Sequence, residues 1–486
     1  MTITGSLSNA LSGLTAQARA AQVVSSNVAN ANTDGYARRE LDLTPRYTGD
    51  GSPAGVKVVG VRREVDMVVV QDRRLADATV GYDETISQFY TQVERIIGTP
   101  DQEGSLSARV DNLETALIAA ASRPDNDSRL SGVLSAATDI TTQLNDSSRK
   151  IQELRMAADQ QISVQVSHLN TGLQRVEELN YQIKEMVARG QDSSTLLDMR
   201  QVAVDSISSI VPLKQLPREN GMIALYTTGG AILLDGRAAE VEFQSVGVIV
   251  PEMTIDSGGL KGLEINGNDV RVSGDNSPIK GGSLAGLFAV RDEISTNVQS
   301  QLDAFVRDLI ERFQDSNVDD TRAVGDAGLF TDAGAAFDPL DETGISSRIS
   351  INSAVVPSEG GEIWRIRDGL GALVPGEVGE SGLLQELSSA LTDSRVALSG
   401  DFLGTGRSSS GLAGDLLSLV HTASLNSDSA LSFSVSQQQT LKTQELSDGV
   451  DTDQELQKLL LIEQAYAANA KVIQTVGGLI DRLMEL

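Results

Sequence analysis

The chain has 486 residues, more than one hydrophobic core organises, so several domains are expected. Lysine and arginine number 39 against 67 aspartates and glutamates, and the formal net charge of −28 argues against binding nucleic acid or docking on an anionic membrane. With no cysteine, disulfides, thiolate metal sites and cysteine nucleophiles are excluded.

The opening residues MTITGSLSNA have no basic start and no sustained apolar run, so no cleaved signal peptide is expected. No stretch reaches the roughly 18 apolar residues needed to span a bilayer. Export would therefore need a route that cleaves no signal. The first element is a helix with an apolar repeat of alternating four and three: Ile3, Leu7, Ala10, Leu14, Gln17, Ala21, Val24, Val28. It is expected to end between Asn30 and Gly35, where Asn-Thr-Asp-Gly is a turn signal. Residues 1–35 carry only Arg19 and Asp34 as charged side chains. A surface helix of a soluble monomer normally shows a charged outer face. A small, uncharged face suits burial against other copies of the chain.

Val56 to Val70 is valine-rich and reads as one or two strands. A long helix is expected from about Arg129 to Arg189, roughly 90 Å at 1.5 Å per residue. Its stripe runs Ile140, Leu144, Ser147, Ile151, Leu154, Ala158, then slips by one and resumes at Ile162, Val166, Leu169, Leu173, Val176, Asn180, Ile183, Val187. The slip resembles a coiled-coil stutter. Gly172 is a candidate bend and Gly190 a stop.

From Val211 to Lys280 the runs Met222–Thr227, Ala231–Leu234, Val241–Phe243 and Val246–Val250 alternate with glycine turns, the pattern of a small β insert. Helix returns at Leu284–Phe313. A mixed section follows from Asp315 to Gly414, with one strand expected at Arg348–Val356. The chain ends in a second striped helix: Leu459, Ile462, Tyr466, Asn469, Ile473, Val476, Ile480, Leu483. Neither terminal helix is long enough to be stable alone in water, and each is the other's economical partner.

The expected fold is mainly α with a β-rich insert. Residues 1–35 and 450–486 form a terminal coiled coil, 36–210 and 281–449 a helix-rich bundle with some strands, and 211–280 an outer β domain. The domains are nested and discontinuous, which brings the chain ends together.

Catalytic constellations are sparse. The two histidines, His168 and His421, lack neighbours at zinc spacing and read as surface or packing residues. Asp451, Asp453 and Glu455 read as favourable charge at a helix start rather than a calcium loop, which would need a central glycine and a distant bidentate Glu. Ser147 to Lys150 has Ser-x-x-Lys spacing but no companion motif. Gly404-Thr405-Gly406 lacks the third glycine of a dinucleotide loop. Trp364 reads as a local packing anchor. No catalytic residue, cofactor or metal ligand is assigned.

The ends carry a family resemblance. Ala10-Leu11-Ser12-Gly13-Leu14 and Ser26 to Tyr36 (SNVANANTDGY) resemble the N-terminal signature of flagellar axial proteins, the rod, hook and hook-associated group. Gly449 to Leu456 (GVDTDQEL) and Glu463 to Ile473 (EQAYAANAKVI) resemble its C-terminal signature. Tyr36-Ala37-Arg38-Arg39, Leu196-Leu197-Asp198-Met199-Arg200 and Gly281 to Phe288 (GGSLAGLF) with Arg291-Asp292 resemble the hook-associated branch that forms the first hook–filament junction layer. In that branch an Asn with a nearby His often precedes a Gly-Asp pair. Here Asn317 precedes Gly325-Asp326 and the His is absent, so alignment over 315–345 is weak.

The resemblance implies a structural protein rather than an enzyme, placed outside the cell at the hook–filament junction. Its implied partners are its own copies, the hook protein, a second junction protein, an export chaperone holding the C-terminal helix, and the type III export apparatus. The candidate assembly surface comprises Ile3, Leu7, Leu11, Leu14, Ala21, Val24, Asn27, Val28 and Asn30 with Leu459, Ile462, Tyr466, Ile473, Val476, Ile480 and Leu483. A rod or hook subunit remains an alternative, and a cell-wall hydrolase carried on the axial structure is a more distant one.

Overall fold

A computed structural model describes residues 3–47, 53–99, 102, 104–402, 404–447 and 449–484. Helix α1 (Ile3–Ala29) is followed by a hairpin, β1 (Arg39–Tyr47) and β2 (Pro53–Arg63). Four helices come next: α2 (Met67–Ile97), α3 (Leu106–Ser122), α4 (Asp127–Ala188) and α5 (Ser194–Ser208). The β-rich stretch holds β3 (Leu213–Pro217), β4 (Ile223–Thr227), β5 (Ile232–Asp235), β6 (Arg237–Ala238), β7 (Val241–Glu242), β8 (Leu263–Ile265) and β9 (Asn268–Val270). Helix α6 (Gly282–Ala289) runs through a π-turn at Val290–Ile294 into α7 (Ser295–Gln314). A mixed stretch carries β10 (Phe330–Asp332), α8 (Ile345–Arg348), β11 (Ile349–Ile351), α9 (Arg365–Asp368) and α10 (Gly382–Thr392). Two long helices, α11 (Ser409–Ser447) and α12 (Thr452–Met484), complete the chain. The protein is predominantly helical with short antiparallel sheets in its centre, as the sequence leads one to expect.

Helix α4 is the axis of the body. Its side chains Ile140, Leu144, Ile151, Ile162, Val166, Leu169, Leu173, Val176 and Ile183 are all buried, so the predicted stripe is the face toward the core. The helix is continuous through Gly172. A Cβ there would lie 2.3 Å from Ile207 Cγ2, so this glycine admits α5 to close range instead of bending α4.

Strands β3–β6 form one sheet and β7–β9 another, all paired antiparallel. Leu225, Leu233, Leu234, Val241 and Leu263 join the same core as α4, α6 and α7. The expected strand Val246–Val250 is irregular backbone. Its polar groups are held by α4: Val246 N donates to Asp159 Oδ2 at 2.7 Å, and Val250 O accepts from Arg155 at 3.2 Å. Of the strand expected over Arg348–Val356, only Ile349–Ile351 forms, as β11 paired with β10.

The valine run Val56–Val70 divides. Val56 to Val61 lie in β2, whereas Val68–Val70 open α2. Asp66 accounts for the switch, because its carboxylate accepts from Val68 N at 2.8 Å and Val69 N at 3.3 Å as a helix N-cap.

Candidate assembly interface

Helices α1 and α12 lie against each other. They run antiparallel. Gly13 faces Asn469, whose side chain would be 2.8 Å from a Cβ at residue 13, and Asn27 bonds Glu455. Those two contacts lie equally far apart along each helix. Glycine at 13 lets the polar interruption of the C-terminal stripe fit against α1.

The stripe residues are unevenly covered by this pairing. Val24 and Val476 are buried, and Leu7, Leu14, Ala21, Val28, Asn30, Leu459, Ile462 and Ile473 are half-buried. Ile3, Leu11, Tyr466 and Ile480 stay exposed. The Leu483 side chain lies outside the described residues. Off the predicted stripe, Leu460 and Leu461 are 59% and 65% exposed, close to the 59% of Leu11. The pair thus satisfies only part of its apolar surface.

One polar lock closes the base of the pair. Asn27, fully buried, donates through Nδ2 to Arg39 O at 2.9 Å and to Glu455 Oε2 at 3.0 Å. Its Oδ1 accepts from Arg39 N at 3.0 Å and from the Tyr36 hydroxyl at 2.8 Å. Every hydrogen-bonding capacity of the amide is used. Glu455 is 1% exposed, and its other oxygen takes Arg38 Nε at 3.0 Å. Asp451 caps α12 by accepting from Asp453 N and Gln454 N. The acidic cluster therefore divides its labour: Asp451 ends the backbone, and Glu455 joins the chain's two ends. Sequence reading placed Glu455 only as helix-start charge, and its partners 417 and 428 positions away leave no local signal.

Asn30 works locally, donating to Ser26 O at 2.8 Å. A second lock sits on α5. Arg39 and Arg63 are cross-strand partners at the open end of the hairpin. Arg39 reaches Asp198 Oδ2 at 2.7 Å and Arg63 reaches Asp198 Oδ1 at 2.8 Å. Burial lowers the Arg63 pKa, with Asp198 acting against the shift. Two residues on, Arg200 donates to Asn180 Oδ1 and Gly221 O, and burial, aided by Arg63 and Arg74, pushes its pKa down to about 10. The segments Tyr36–Arg39 and Leu196–Arg200 thus meet in space.

The remaining sequence candidates stand apart from one another. His168 is exposed on α4, and His421 Nδ1 meets Glu94 Oε1 at 2.6 Å across α11 and α2. Ser147 is buried while Lys150 is exposed, which separates the Ser-x-x-Lys pair. The Arg365 guanidinium covers the Trp364 ring at 5.2 Å. Among the described residues no group of acidic, His or Cys side chains is arranged to hold a metal ion, and no helix is long and apolar enough to cross a membrane.

Residues 90–330 match the family described as the flagellar hook-associated protein FlgK helical domain. Residues 7–36 match the flagella basal body rod protein family, and 447–486 the flagellar basal body rod FlgEFG protein C-terminal family. Flagellar hook-associated protein 1 of Bacillus subtilis is 22% identical, with 98% of this chain and 97% of that protein covered. Its Salmonella typhimurium counterpart is 23% identical, with 99% of both covered. Over nearly its whole length the chain is similar to flagellar hook-associated protein 1. The flagellar hook junction protein FlgK of Burkholderia pseudomallei has a solved structure that aligns with TM-score 0.41 and 20% identity, covering 54% of this chain and 46% of that one. The family models that match the chain thus describe flagellar hook-associated and rod proteins. The locks at Asn27 and Asp198 fall within the matched segments 7–36 and 90–330.

Proposed function

We propose that the chain is a structural subunit of the bacterial flagellum that forms the junction layer between hook and filament. It assembles through α1 and α12. The supporting observation is the terminal pair itself: two helices locked at Asn27–Glu455 that still present Leu11, Leu460, Leu461 and Tyr466 to solvent. Such a surface is satisfied by further copies packed around it, each buried apolar Å² contributing about 25 cal/mol. In this reading 1–35 and 450–486 are the assembly unit, 36–210 and 281–449 the wall-forming body, and 211–280 the outer insert. The hook protein and a second junction protein are the axial neighbours. The chain travels through the type III export apparatus, and a chaperone covers α12 beforehand.

A strain lacking the gene tests this directly. Complete hooks without filaments, with monomeric filament protein lost to the medium, are expected. Absence of hooks would assign the chain to the rod or hook instead. Removal of 1–35 or 450–486 is expected to leave a soluble, folded middle that does not polymerise, as measured by circular dichroism and sedimentation.

A further inference from the structure

Among the described residues, the hydrophobic core that runs through the body contains none from α1, the hairpin or α12. Those three elements touch one another, with both strands of the hairpin against α1. They form an arm. The hairpin meets α5 on one face, where its arginines bond Thr195, Asp198 and Gln201. Asp198 takes one guanidinium on each oxygen and a third bond from Ala37 N at 3.3 Å. Arg39 also donates to Thr195 Oγ1 at 3.3 Å, and Arg63 to Gln201 Oε1 at 2.9 Å. Just before the hairpin Gly35 packs on the same face, where a Cβ would come within 2.3 Å of Val202 Cγ2.

The geometry points to Asp198 as a positioning residue: a releasable bolt that fixes the angle of the terminal arm against the body. Two facts make it a bolt rather than a rivet. Arg39 and Arg63 oppose each other across the last rung of the hairpin, so one carboxylate fixes the whole ribbon's direction. The joint is also incompletely satisfied, because the buried Arg39 Nε has no acceptor. A buried ion pair exchanges desolvation for attraction with little net gain, unlike an apolar seam. Opening it costs the body no core contact. An arm hinged in this way can take its final angle from its neighbours.

The absence of cysteine allows a clean test in the full chain. Val59, 64% exposed on β2, and Lys184, exposed on α4, are both changed to cysteine and spin-labelled, and the inter-label distance distribution is recorded. The D198N variant and the R39Q/R63Q double variant are each built on that background. We expect both to give a distribution roughly twofold broader than the parent, with amide-exchange protection in α4 and α7 unchanged. A parent-like distribution in either variant overturns the proposal. So does a loss of protection in α4 and α7 alongside the broadening, since that would make Asp198 a support of the general fold. If D198N does not fold, the proposal is overturned on the same ground. The measurement uses unassembled protein, so its outcome is independent of the strain phenotype that tests the junction reading.

Discussion

Asn27 donates through Nδ2 to Glu455 Oε2 at 3.0 Å, a buried hydrogen bond between residues 428 positions apart. Neither side chain has an apolar substitute at that point, because each satisfies the other together with Arg38, Arg39 and Tyr36.

Truncation of this amide should be felt locally. Asn27→Ala leaves Glu455 with only Arg38, strips the Arg39 N–H of its acceptor and leaves the Tyr36 hydroxyl only the longer bond to Ser26 Oγ at 3.3 Å. Leaving buried polar groups unpaired costs about 1–3 kcal/mol. We expect faster amide exchange in α1 and α12 and no change in α4. Equal protection in the terminal helices of parent and variant would show that the lock contributes nothing.

Two glycines offer a matched comparison. Gly282 has φ +79°, and a Cβ there would lie 2.3 Å from Ile210 O, a backbone atom that cannot swing aside. Gly172 would meet the tip of the Ile207 side chain at the same distance. Gly282→Ala should cost upwards of about 2 kcal/mol, and Gly172→Ala roughly 1–3 kcal/mol, reduced by whatever Ile207 can yield. Thermal melts of the two variants should rank Gly282→Ala lower.

Arg291 is fully buried, with Asp159 at 2.7 Å and Asp292 at 2.8 Å, and its guanidinium lies over the Phe288 ring at 5.0 Å. Arg291→Ala strands Asp159 in the core, a loss of about 3–5 kcal/mol for one partner of a buried pair. A double change, Arg291→Met with Asp159→Leu, removes that pair and should recover part of the loss in urea unfolding; the remainder is the cost to Asp292 and the Val246 N–H, which lose Arg291 and Asp159 as partners.

Acidity should act through Asp303. Burial raises its pKa, against the bonds it accepts from Ser346, Gly344 N and Gln299. A carboxylate whose folded pKa is raised binds its proton more tightly in the folded chain. Its contribution to stability is therefore present at low pH and lost as pH rises from about 4 through the raised value. Burial raises Asp292 and Asp308 in the same sense, in each case against an arginine partner. In Asp303→Asn the fall in urea midpoint with rising pH should be shallower than in the parent. An unchanged slope would place the titration elsewhere.

Long-period order was readable from the residues alone. The stripe of α4 repeats from Ile140 to Ile183, so the buried face of the 62-residue helix emerges from spacing and its end from Gly190. Short-range chemistry was less legible. Val68–Val70 have strand composition, and only the Asp66 cap turns them helical. Beyond Gly35 the chain reads as extended, but the bounds of β1 are not legible, because Arg39–Tyr47 has a weak alternation that gains meaning only beside β2. The π-turn at Val290–Ile294 leaves no periodic trace. For the assembly surface, spacing found the apolar residues but not the locks. Asp198 and Glu455 are ordinary acids in a strongly acidic chain until folding brings distant arginines to them.

The Asn27–Glu455 contact also sets a clock. A ribosome makes Asn27 long before it makes Glu455, and until then the first helix has no complementary acid to answer its amide. The body can mature in that interval from segments already made. The paired surface that further copies would meet therefore exists only after both ends of the lock have been made.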